Sequence, residues 1–259
     1  MSEATLLRED QDGVCTLTLN RPQAYNALSI EFMEALSEAL DCVAEDESVR
    51  VVIIRGEGRG FCAGHDLKQI MSSPDEAFHS QTFQCCSELM QKITELPVPV
   101  IAQVSGIATA AGCQLVASCD LAVAADNSRF ATPGVNIGLF CSTPMVALTR
   151  AVQPKHALEM LYLGDLIDAQ RAADIGLVNW TVNVDELHAF TMEKAQKIAS
   201  KSRATLTLGK RTYHAQKNLP LDQAYQHCSK VMVDNLQMAD AKEGIAAFVE
   251  KRPPKWTHR

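Results

Sequence analysis

The pattern of apolar and polar positions divides the chain into two unlike halves. Val14 to Leu19 alternates small or polar with apolar residues and runs into Asn20-Arg21-Pro22, which reads as a strand entering a turn. Ser29 caps a following helix whose apolar stripe is Met33, Leu36, Leu40 and Val43, at helical spacing. Val49 to Ile54 is a short β-branched run stopped by Gly56 and Gly58, the signature of a buried strand. The cycle then repeats. Phe83, Cys86, Met90 and Ile93 predict one face of a helix ending before Pro97; Val98 to Val104 predicts a strand, Ala111 to Cys119 a short helix, and Leu121 to Ala125 another strand. Such alternation predicts a parallel sheet flanked by helices. Beyond Pro154 helices dominate, over 155–163, 169–175, 185–201, 203–217, 221–238 and 240–250, with one short strand near Leu177 to Val182. No linker-like composition separates the halves, so the C-terminal helices are expected to pack on the first half or on a neighbouring subunit.

Composition narrows the class. Of 259 residues 47% are hydrophobic and 21% charged, which suits a sizeable buried core. A net charge of -7 argues against nucleic acid as a partner, because phosphate binding wants a basic face. No run approaches the roughly 20 apolar residues of a membrane span. The N-terminal residues carry no basic-apolar signal, which predicts a cytoplasmic chain, or a mitochondrial matrix one if a transit peptide has been removed. Nine scattered cysteines fit neither a disulfide framework nor a paired zinc site, so no metal is expected and a reducing compartment is the simplest reading.

Two loops carry the candidate chemistry. Arg55 to Leu67 follows a strand and holds glycines at 56, 58, 60 and 64; Ser105 to Gln114 follows the next strand and opens a helix. Small residues let a ligand approach the backbone, and a helix start offers free N–H groups. Side by side, two such loops can aim two amides at one oxygen. Each alone is equally a tight strand-to-helix turn.

These segments resemble the enoyl-CoA hydratase/isomerase (crotonase) family. Phe61-Cys62-Ala63-Gly64-His65-Asp66-Leu67 is similar to its F-x-A-G-x-D-[LI] motif, and Gly106 through Leu115 to Cys119-Asp120 to its G-x-x-x-G-G-G-x-E-L…C-D motif. Leu19-Asn20-Arg21-Pro22 with Asn26-Ala27-Leu28, and Gly164 with Ala169 to Val178, resemble two further family segments. The resemblance implies an α/β fold, a ClpP-like spiral of ββα repeats over 1–195, with a C-terminal helical trimerisation region over 196–259. It implies a homotrimer or a dimer of trimers. The implied ligand is an acyl-CoA thioester, with coenzyme A part of the substrate and no separate cofactor. Its carbonyl would accept from the backbone N–H groups of His65 and Ala111, and alanine at 111 requires a negative φ. Ala24, Ala63, Asp66, Leu67 and Lys68 would line the CoA side, and Phe140 would narrow the acyl pocket.

Two departures bear on the reaction. The family's hydratases place general acid–base glutamates at positions occupied here by Gln114 and Gly134. Neither residue titrates, and each lost group is worth about 10²–10⁴-fold. The resemblance therefore implies the ligand more firmly than the reaction: a weak or different thioester reaction, or an acyl-CoA-binding protein without catalysis in fatty-acid metabolism. Other residues have two readings each. His65 can reach the acyl group or fill space beside the pocket; Cys141 and Ser142 can be nucleophiles or inert; His79 can face the pocket mouth or solvent. Asp120 reads as structural. Arg21, Lys68 and Lys251-Arg252 can meet CoA phosphates or be merely solvated.

Overall fold

The computed structural model describes residues 4–73 and 75–258. Its first strands, β1 (Leu6–Gln11) and β2 (Val14–Leu19), form an antiparallel hairpin turning at Asp12-Gly13. Helix α1 (Ile30–Glu45) begins where Ser29 accepts from the Phe32 amide, and Met33, Leu36, Leu40 and Val43 are fully buried. The strand β3 (Val51–Gly56) follows, then β4 (Gly60–Cys62), α2 (Leu67–Ser72) and α3 (Glu76–Glu95). Next come β5 (Val100–Val104), β6 (Ile107–Thr109), α4 (Ala111–Ser118), β7 (Leu121–Ala125), β8 (Arg129–Ala131) and α5 (Ser142–Ala151). The remainder is α6 (Pro154–Leu163), β9 (Ile167–Asp168), α7 (Ala169–Asp174), β10 (Trp180–Val182), α8 (Leu187–Ala199), α9 (Arg203–Gln216), α10 (Leu221–Gln237) and α11 (Ala239–Val249).

The strands form two sheets. One orders β1-β2-β3-β5-β7-β10, parallel from β2 onward; the other orders β4-β6-β8-β9. After β3, β5 and β7 the chain steps into a three-residue strand of the second sheet before its next helix, which is the ββα repeat implied by the resemblance. The principal core lies between the larger sheet and helices α1, α3 and α4. A smaller cluster on the opposite face packs α8 against β3, β5 and β7.

Helix α9 is fastened to the same chain by a buried lysine. Lys210 Nζ donates to the carbonyls of Ile93 and Val98 and, at 2.7 Å, to Asp120. These three acceptors match the three ammonium donors, which is what a buried lysine needs. Asp120 also accepts from the Val100 amide, so its structural role at the start of β7 holds.

Several expectations change. Phe83 lies on the outer side of α3, 40% exposed, because Thr82, Cys86, Leu89, Met90 and Ile93 form the buried face. His79 sits within α3, half-buried, and its Nε2 meets the Ile70 carbonyl at 3.3 Å, so it does not simply face solvent. Residues 142–151 form a helix, with Pro144 in its first turn where no intrahelical donor is required.

Candidate active site

The Gly-rich loop after β3 is held by a residue far upstream. Asn26, fully buried at positive φ, donates through its side-chain amide to the carbonyls of Glu57 and Gly60 and accepts from the Arg21 amide. It thus ties the Asn20–Leu28 turn to the loop. Sequence reading noted Asn26 only as a motif letter; consecutive left-handed residues at Tyr25 and Asn26 show the tight turn that lets it reach inward.

His65 follows as an extended residue. Leu28 N–H donates to Gly64 O and Asp66 N–H donates to Leu28 O, the two bonds of a parallel bridge. In that geometry the residue between them turns its own N–H to the opposite side. Among the described residues no protein acceptor takes the His65 N–H.

The second loop meets the first at Gly64. A Cβ at Gly64 would lie 2.9 Å from Ala110 Cβ and 3.3 Å from Ala111 N, and Gly64 has φ +100. Only glycine suits both that φ and that proximity. Thr109 Oγ1 donates to Ala63 O, bracing the pair from the side. Gly112 abuts the carbonyl of Cys62, so the start of α4 presses directly on β4. Ala111 itself is the first residue of α4 and is absent from the positive-φ residues, which meets the requirement for alanine there. Its N–H is an orphan of the helix start, with no acceptor among the described residues.

Ala110 carries the strain. It adopts φ 50, ψ -118, a conformation sparse for an L-residue, while its own N–H is held by Ala131 O at 2.9 Å. That ψ sets the plane of the 110–111 peptide, and therefore the direction of the Ala111 N–H. The arrangement offers two main-chain donors from adjoining loops, which is the chemistry of holding an oxyanion.

Around these amides, the side chains are largely non-titrating at neutral pH. The His65 ring packs edge-on against Phe83 at 5.2 Å, and its Nε2 is buried without a partner. Burial pushes its pKa down to about 4, so the imidazole is neutral. Gln114 is buried one turn along α4 from Ala111, and its Oε1 faces the Cys86 thiol at 3.9 Å. Burial pushes the thiols of Cys62, Cys86 and Cys113 up to about 12 and raises that of Cys141 as well. These are thiols, not thiolate nucleophiles. Ser142 is exposed and donates only to the Phe140 carbonyl. No group of three or more possible metal ligands occurs among the described residues.

Space for a side chain at residue 134 is closed largely by backbone. A Cβ at Gly134 would stand 2.6 Å from Leu139 O and 2.9 Å from Cys141 Sγ. Leu139 N–H donates back to Gly134 O at 2.9 Å, completing the tight turn. Phe140 is not the group that meets this position. Its ring is 43% exposed and lies 6.0 Å from Tyr162.

The expected CoA-side residues divide. Asp66 caps α2 by accepting from the Lys68 and Gln69 amides and pairs with Arg21 at 3.0 Å. Arg21 also donates to Ala27 O, so it braces the loop and is not a free phosphate ligand. Leu67 and Lys68 are exposed, Ala24 and Ala63 half-buried. Arg252 is engaged by Glu243 and Glu250.

The profile of the enoyl-CoA hydratase/isomerase family matches residues 9–259. The chain belongs to that family. It is 50% identical to mouse (Mus musculus) enoyl-CoA hydratase domain-containing protein 3, mitochondrial, over 248 residues, covering 96% of this chain and 83% of that protein. Among solved structures, a Mycobacterium smegmatis enoyl-CoA hydratase superposes with TM-score 0.96 at 48% identity, covering 98% of this chain and 99% of that one. The human enoyl-CoA hydratase domain-containing protein 3 superposes with TM-score 0.95, also at 48% identity, covering 98% and 100%. The crotonase fold and the resemblance to this subgroup are therefore established. Several of these relatives are named mitochondrial, and no helix among the described residues is long and apolar enough to cross a membrane.

Proposed function

We propose that the protein binds an acyl-CoA thioester with its carbonyl oxygen between the N–H groups of His65 and Ala111. One observation carries this reading: two unpartnered main-chain donors, on loops in van der Waals contact through Gly64, within a crotonase-family chain. Both donors belong to the backbone, so the side chains at 65 and 111 are free to differ from those of other members. Two preorganised amides on a developing enolate contribute on the order of several kcal/mol.

The reaction this site supports needs enolate or tetrahedral-oxyanion stabilisation without a carboxylate pair, such as decarboxylation or thioester hydrolysis. Gln114 has no titratable proton, and Leu139 O and Cys141 Sγ occupy the space a residue-134 carboxylate would need. That filled space equally supports a second reading, an acyl-CoA binder without turnover. Incubating the purified protein with crotonyl-CoA, a malonyl-type CoA and a saturated acyl-CoA, with products followed by mass spectrometry, separates the two. Turnover of crotonyl-CoA at ordinary enzyme rates defeats both. Failure of all three thioesters to bind defeats the oxyanion-hole assignment itself.

The assembly that suits this chain is a trimer or a dimer of trimers. Leu221, Tyr225, Met232, Val233, Phe248 and Val249 of the last two helices are largely exposed, an apolar display unusual for an isolated subunit. Sedimentation equilibrium reads the state directly. For location we favour the mitochondrial matrix or the cytoplasm.

A further inference from the structure

A cleft of about 840 Å³ runs between α3, α4, α5 and α9. Its volume falls in the range of small-molecule sites. Its lining includes Gln114 and Thr143, the latter in the first turn of α5, and Arg150 in the last turn of α5 together with Tyr213, His214 and Lys217 of the α9 region. Gln114 stands three residues beyond Ala111 on the same helix, hence on the same face and one turn away. Gln114 is the lining residue nearest the proposed thioester site, and a carbonyl held on the Ala111 amide would direct the first acyl carbons towards the part of the cleft that Gln114 lines.

The long axis follows α5. That helix starts at Cys141, whose Sγ adjoins Gly134, and reaches Arg150 nine residues later, roughly 13 Å along its axis. The far end is polar and cationic, unlike a hydrocarbon tunnel. Asp120 is there, but it is neutralised by Lys210 at 2.7 Å. Burial chiefly pushes His214 below its ordinary pKa, with Asp120 opposing and Lys210 and Lys217 adding to the fall, which leaves it neutral. Arg150 and Lys217 are then the fixed charges without a carboxylate partner among the described residues. Lys217 donates across the mouth to the Arg150 carbonyl at 3.0 Å and lies over the Tyr213 ring, while Arg150 donates to the Val146 carbonyl. In a chain of net charge -7, two uncompensated cations at the open end of the cleft form a local inversion of sign.

We propose that this cleft is the acyl-tail subsite and that it selects chains ending in an anionic group, an ω-carboxylate, held by Arg150 and Lys217. The inference rests on the thioester reading above. Neutral fatty chains gain little from a polar lining, whereas an ω-carboxylate gains charge-assisted hydrogen bonds. The spacing of roughly 13 Å favours a dicarboxylic chain of medium length.

Calorimetric titration of the full-length protein with octanoyl-CoA, suberyl-CoA, glutaryl-CoA and free CoA tests this. The expected result is suberyl-CoA binding at least about tenfold tighter than octanoyl-CoA, with glutaryl-CoA too short to share the gain. In Arg150→Gln/Lys217→Gln that preference disappears while octanoyl-CoA binding is unchanged. Both substitutions are at exposed positions, and Arg150→Glu provides a second variant in which an ω-amino-octanoyl-CoA becomes the preferred ligand. Octanoyl-CoA binding as tightly as suberyl-CoA overturns the subsite and leaves the thioester reading standing. An equal loss of free CoA and suberyl-CoA in the double variant also overturns it, by assigning the cations to CoA phosphate. If no CoA ester binds, the thioester reading itself fails, and the subsite with it.

Discussion

The carbonyl oxygen of Leu139 stands 2.6 Å from where a side chain at Gly134 would begin. Backbone of the following turn therefore fills the space that any side chain at position 134 would need. Gly134→Ala is expected to cost about 1–3 kcal/mol, the usual penalty for overpacking where the obstruction is backbone. Gly134→Glu is expected to cost more, and Gln114→Glu/Gly134→Glu to gain no crotonyl-CoA hydration. Thermal melts of the two single variants and an absorbance assay of the double variant check this. A stable double variant that hydrates crotonyl-CoA shows that the turn opens readily and that the closed geometry is not limiting.

Asn26 reaches Glu57 and Gly60, 31 and 34 residues further along the chain. Its side chain makes three hydrogen bonds in a site closed to water. Asn26→Ala strands two carbonyls and one amide, so about 2–4 kcal/mol of stability is expected to be lost. Because the Gly-rich loop then loses its anchor, acyl-CoA affinity is expected to fall along with the denaturation midpoint. Asn26→Asp keeps the acceptor for the Arg21 amide but sets a carboxylate oxygen against the two carbonyls in a fully buried site, so it is expected to cost at least as much as Asn26→Ala.

The sequence carried the family and the long elements because both depend on local signals. The stripe Met33, Leu36, Leu40, Val43 is fully buried as its spacing requires, and the motif letters around Gly64 and Gly112 mark contacts that only glycine permits. The second sheet was legible only through the resemblance, since strands as short as Gly60–Cys62 and Ile107–Thr109 have no room for a periodicity. Phe83 was placed inward because its spacing fits the apolar stripe, yet the stripe is centred on Leu89 and Phe83 projects towards His65. The closure over Gly134 was not legible at all. It arises from a backbone turn five residues on, and no side-chain pattern reports it.

Ala110 holds a conformation that glycine adopts at no steric cost. Ala110→Gly is expected to relieve about 1 kcal/mol of backbone strain, partly offset by the entropy of glycine in the unfolded chain. The peptide leading to the Ala111 N–H keeps its orientation, so acyl-CoA affinity is expected to stay within about twofold. Differential scanning calorimetry and the binding isotherm read both effects. A drop in melting temperature of several degrees shows that the Ala110 methyl contact at Gly64 outweighs the strain.

The buried imidazole of His65 gives the protein an acid sensitivity with a defined window. Burial holds its pKa at about 4 in the folded state, against about 6.5 in an unfolded chain. Between those values the unfolded state binds the extra proton, so stability rises with pH across the window. The contribution is complete above about pH 6.5 and is lost as the pH falls towards 4, amounting to about 2–3 kcal/mol after allowance for the ring's partial exposure. Carboxylates such as Asp66 and Asp240, held below their ordinary values, act mainly at lower pH, whereas His214 and His258 are shifted the same way as His65 and add to the slope. His65→Gln is therefore expected to flatten the dependence of unfolding free energy on pH between 6.5 and 4 without abolishing it. The role proposed for residue 65 belongs to its backbone N–H, so the variant is expected to retain acyl-CoA binding at pH 7.5. Urea melts across the window and an NMR titration of the His65 ring check the two halves of the argument. A ring that titrates near 6.5 removes the physical basis for the slope.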